Sequence, residues 1–152
     1  MSLARFAMIA LVILHASVVH AQVKQSPLEN GFTELTSEHL TLITDLPVDD
    51  EIRQLVEIFE TAMPQWQAYF EKEYPSADAW RATVYLMGDR PKFVEAGYLT
   101  PELPPFLEGY QAGDKLFVCE QPSPYYRRHL LLHEGTHWFM ARLFGCWSRA
   151  LS

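Results

Sequence analysis

The sequence predicts an α+β domain in which helices pack on a small mixed or antiparallel sheet, with a long helix as its last element. Three observations carry this. The run His39–Thr44 alternates and is rich in β-branched residues, and Ala82–Met87 reads as a second strand ended by Gly88-Asp89. Between them Ile52, Leu55, Val56, Phe59, Ala62, Met63 and Trp66 recur at helical spacing. A further helical segment opens on Ser123-Pro124 and closes on Gly145.

The elements follow in order. Met1–Arg5 is short and positively charged, Phe6–Val19 is apolar, and Val19-His20-Ala21 ends the run with small or uncharged residues where a signal peptidase cleaves. This predicts a signal peptide over 1–21, cleaved after Ala21, and a secreted or periplasmic protein. The run is short for a membrane span and His15 and Ser17 dilute it, so no stable membrane insertion is expected after cleavage. Residues 22–37 are polar, with Pro27 and Gly31, and are expected to form a tail leading into a domain over 38–152.

The strand His39–Thr44 stops before Pro47, and Asp49 or Asp50 caps the helix that follows. Pro64 is expected to kink or divide that helix, which ends near Tyr74-Pro75. Ala82–Met87 is a second strand, Phe93–Ala96 a short helix, and Leu107–Gln111 and Lys115–Cys119 a hairpin around Ala112-Gly113-Asp114. In the last helix Ser123 is the N-cap, Pro124 occupies the first turn and Gly145 is the stop.

Composition excludes some functions. Of 152 residues, 49% are hydrophobic and 20% charged, which is globular material. The formal charge is −7, and no basic patch exceeds Arg127-Arg128, so no nucleic-acid partner is expected. The two cysteines, Cys119 and Cys146, can pair in an oxidising compartment or stay as separate thiols.

The chemistry lies in His133-Glu134-Gly135-Thr136-His137. Four helical steps of about 100° bring His133 and His137 to one face, where both imidazoles can reach one metal ion, Zn2+ by ligand type. Glu134 points to a neighbouring side, where it can hold a water and take its proton as general base. Leu130, Leu131 and Leu132 before the motif and Trp138, Phe139 and Met140 after it make the helix dry. A plain alternative is two surface histidines beside a helical glutamate.

The run Leu132–Phe139 resembles the active-site helix of the zincin metallopeptidases, and the order of elements resembles the N-terminal half of a thermolysin-like (gluzincin) catalytic domain. The resemblance implies a secreted zinc peptidase with His133 and His137 as ligands, Glu134 as catalytic base and a peptide or protein as substrate. It also implies an edge strand that pairs with the extended substrate, a place that Lys115–Cys119 would take.

That family supplies its third ligand as a downstream glutamate, whereas no Asp, Glu or His follows His137. The chain is therefore expected to be truncated before the third ligand, with a missing C-terminal half needed to complete the site. His129, one turn before His133, and Cys146 are internal substitutes. The rival readings are a non-catalytic secreted domain that binds a peptide or partner, and a loose two-histidine metal-binding protein.

Overall fold

The computed structural model describes residues 23–71 and 80–145. The predicted signal peptide and Cys146 lie outside them, and the first long helix ends at Phe70, with Glu71 left-handed at φ 52°, rather than near Tyr74-Pro75. Six strands form one mixed sheet: β1 (Lys24–Pro27), β2 (Thr33–Thr36), β3 (Leu40–Thr44), β4 (Ala82–Met87), β5 (Gly109–Ala112) and β6 (Lys115–Cys119). The helices are α1 (Asp50–Phe70), α2 (Arg90–Glu95) and α3 (Pro124–Phe144), with a 3₁₀ turn at Glu29–Gly31. The strand order is β1-β2-β3-β4-β6-β5. The central pairs β3–β4 and β4–β6 are parallel and the others antiparallel. This is the α+β architecture expected, with a mixed sheet.

Alternation along the central strands builds two apolar layers. Leu40, Leu42, Val84, Leu86, Leu116 and Val118 face α1 and α3. Ile43, Tyr85, Met87 and Phe117 face the opposite side, where Phe32, Phe93 and Leu99 cover them. The two long helices therefore share one face of the sheet, and the short helix and its following loop close the other.

Local chemistry sets the helix ends. The Asp49 carboxylate accepts the Ile52 N–H at 2.9 Å, and the Ser123 hydroxyl accepts that of Tyr126 at 3.4 Å. Gly145 stops α3 in the left-handed conformation, at φ 64°. Pro64 does not divide α1, which continues to Phe70. Its ring lies on an exposed face, so the missing N–H leaves the Glu60 carbonyl without its helical donor but disturbs no packing.

The segment 22–37 is not a tail, because β1 and β2 lie within it. All four residues of β1 are exposed and β2 buries only Leu35, so neither strand carries a hydrophobic alternation to read. A carboxylate ties this region to α1. Glu60 Oε1 accepts from the Ser37 hydroxyl at 2.5 Å and the His39 N–H at 2.7 Å, while Oε2 lies 2.6 Å from His39 Nδ1. Among the described residues no helix is long and apolar enough to cross a membrane.

Candidate metal centre and active site

Helix α3 buries Leu131, Glu134, Gly135, Trp138 and Phe139, a stripe at intervals of three and one that faces α1 and the sheet. Glu134 belongs to this inner stripe and is 7% exposed. His133 and His137 flank it on the exposed side. The apolar flanks of the motif suggested buried histidines, but the helix turns those flanks inward together with the glutamate and leaves the two rings outside.

The rings converge. His133 Nε2 and His137 Nε2 are 3.2 Å apart, with ring planes at 80°. Two nitrogens on a tetrahedral zinc ion, each about 2.0–2.1 Å from it, are about 3.3 Å apart. The pair thus has the bite of a zinc chelate, and the residues present fit two of the four positions. Among the described residues the one trio with ligand atoms mutually within 4.8 Å is Glu38, His39 and Glu60, at the β2–β3 turn. The Glu60 carboxylate of that trio is engaged by Ser37 and His39. His129 does not join the histidine pair; its ring lies parallel to that of Tyr125.

Burial pushes the Glu134 carboxyl above the usual carboxylate range, outweighing the downward pull of His133 and His137. A carboxyl so placed holds a proton more firmly than a solvated glutamate. Glu134 and His137 line a cavity of about 270 Å³ with Gly109, Tyr110 and Gln111 of β5.

The edge of the sheet beside α3 is β5. The expectation that Lys115–Cys119 is the edge strand is corrected here, since β6 lies between β4 and β5 and is hydrogen-bonded on both sides. A hairpin places its two strands side by side, and the topology, which the sequence does not show, decides which one is outermost. The Cys119 N–H donates to the Glu108 carbonyl at 2.7 Å, so residues 108 and 119 form a hydrogen-bonded pair. By the alternation of antiparallel ladders Gly109 and Gln111 turn their N–H and C=O groups away from β6, toward the open edge.

Two polar ties hold α3, one to the residue that follows β6 and one to the hairpin turn. Near the helix start Arg127 grips Glu120 in a bidentate pair, Nε to Oε2 at 2.9 Å. Near its end Asp114, in the hairpin turn, accepts from Trp138 Nε1 at 3.1 Å and Arg142 Nε at 2.7 Å. Between these ties Glu134 meets Gly109. Sequence reasoning found His133, Glu134 and His137 but missed Gly109, Tyr110 and Gln111. A glycine inside a strand is the one cue it offered, since such a residue marks close approach of another group.

No protein family model, no curated protein and no solved structure matches this chain.

Proposed function

We propose that this chain carries the histidine–glutamate part of a zinc-dependent peptidase site. The observation that supports it best is the convergence of His133 and His137 to a chelating distance beside a buried carboxyl and an open strand edge. His133 and His137 would hold the ion, which when bound supplies Lewis acidity toward a peptide carbonyl. Glu134 takes the proton of the attacking water and returns it to the departing amine. Gly109 and Gln111 align an extended peptide by adding it to the sheet as a further strand. The sequence of residues 1–21 supports export, and N-terminal sequencing of protein from its native host tests that part.

A second reading is a peptide-binding domain without hydrolysis. The observation favouring it is that the described residues bring no third ligand to the pair. One experiment separates the two. Zinc affinity and hydrolysis of fluorescein-labelled casein are measured for the chain and for its His137→Ala and Glu134→Gln variants. The peptidase reading expects zinc binding lost with His137→Ala, and hydrolysis lost with Glu134→Gln while zinc is kept. Zinc binding without hydrolysis in the parent chain favours the second reading, and no zinc binding excludes the peptidase reading and leaves peptide binding as the use of the open edge.

A further inference from the structure

At three of the glycines an added side chain would force a neighbour to shift, and one of them faces the carboxyl of Glu134. A Cβ built on Gly109 would lie 2.6 Å from Glu134 Oε1, 3.0 Å from Glu134 Cγ and 2.8 Å from Leu130 Cδ1. The requirement is spatial. Gly109 is not among the glycines of positive φ, which are Gly31, Gly97, Gly113 and Gly145, so its backbone is one that any residue adopts. Packing efficiency does not call for glycine here either, since glycine weakens a strand by its entropy and by leaving nothing to pack.

The surroundings give the Glu134 side chain little freedom. It is 7% exposed, on a helix tied through Arg127 to Glu120, the residue after β6, and through Trp138 and Arg142 to Asp114. Moving the helix off β5 would strain the Asp114 tie in the hairpin turn. A methyl group at position 109 therefore has to displace both the carboxyl and the Leu130 methyl. His133 and His137 are exposed on the flank of α3, and neither is among the nearest atoms to that Cβ, although His137 lines the same cavity.

We propose that Gly109 is a positioning residue for Glu134: the missing side chain is the space that the base occupies, and it brings the base against the same two-residue edge, Gly109 and Gln111, that receives the substrate backbone. This rests on the peptidase reading for its catalytic consequence but not for its geometry. One strand residue would thus place substrate and base relative to each other, and their separation would not depend on any flexible loop.

The test uses Gly109→Ala, Glu134→Asp and the double variant in the whole chain, with labelled casein as the substrate and zinc as the metal probe. Gly109→Ala is expected to lower kcat at least tenfold, with KM within threefold and zinc affinity within twofold of the parent. Shortening the base by one methylene relieves the clash, so Glu134→Asp is expected to cost at least threefold less in the Gly109→Ala background than in the parent. A crystal structure of Gly109→Ala is expected to show the Glu134 carboxyl displaced and the histidine pair in place. An unmoved carboxyl, additive effects of the two substitutions, or zinc affinity falling together with kcat would overturn the proposal. If Gly109→Ala does not fold, Leu130→Ala is added, which opens the Leu130 contact and leaves the Glu134 contact to be read in the same way. If the parent chain hydrolyses nothing, the peptidase reading fails, and the crystallographic displacement with unchanged zinc affinity alone decides the positioning claim.

Discussion

Replacing Gly135 with alanine sets two effects of opposite sign against each other. Gly135 lies in the middle of α3, between the two histidines of the motif. Alanine is the better helix former there by about 1 kcal/mol, through the backbone entropy that glycine loses on folding. Against this, the added Cβ would lie 2.7 Å from Trp66 Cη2 and 2.9 Å from Phe59 Cε2. Phe59 is fully buried and its ring is held between those of Trp66 and Trp138, so it cannot swing aside cheaply. Trp66 is only partly buried and meets the methyl with the far end of its ring, so it gives more easily. Overpacking of this kind costs about 1–3 kcal/mol. With Phe59 unable to yield, the penalty lies toward the upper part of that range and exceeds the helix gain, so the net effect is a loss of up to about 2 kcal/mol. Urea unfolding followed by tryptophan fluorescence measures it, with the midpoint falling and the slope unchanged. A variant as stable as the parent, or more so, would refute the argument and place α1 farther from α3 than described here.

Three further outcomes are expected. Because burial raises the Glu134 carboxyl, the metal-free fold binds that proton more tightly than the unfolded chain does, and stability falls as pH rises through the folded value. Glu134→Gln removes this loss, so its unfolding midpoint should exceed the parent's at neutral pH and approach it in acid. Glu60 behaves oppositely. Burial opposes its ionisation, but the hydrogen bonds from His39 and Ser37 prevail and lower its pKa, so its contribution is present above the ordinary glutamate range and lost as pH falls through the folded value. Glu60→Gln should cost about 1–3 kcal/mol at neutral pH and flatten the acid limb of the stability curve. Asp114→Ala removes the acceptor of the Trp138 indole N–H, costing about 1–3 kcal/mol, and hydrogen exchange should show faster opening of β5 than of β3.

What the sequence revealed and what it hid follow from burial. The long helices were legible because they bury one face and their side chains carry the helical period, and the central strands because burial on both faces makes them short continuous apolar runs, as in Leu116-Phe117-Val118. The caps of α1 and α3 were legible because Asp49, Ser123, Pro124 and Gly145 act locally. β1 and β2 were hidden because a strand exposed at a sheet's margin needs no apolar pattern, and Lys24-Gln25-Ser26-Pro27 has none. At the candidate site the two histidines and Glu134 were legible because one helix holds all three. Gly109 and Gln111 were not, since they reach the site through the pairing of β5 on β6 and the seating of α3 across that hairpin. These are contacts between distant parts of the chain that no local spacing encodes.

The open margin at β5 has a cost for the molecule when it is free. Outward-facing amides accept any extended backbone, including that of another copy, and such margins are where chains polymerise. The length of the strand limits this hazard. β5 has four residues and turns the polar groups of only Gly109 and Gln111 outward, and Pro104 and Pro105 shortly before it cannot donate to a growing ladder. A margin this short holds a bare backbone weakly. A peptide that lingers there must be gripped at a second point, whereas a neighbouring copy that offers only its own edge has no such point and falls away.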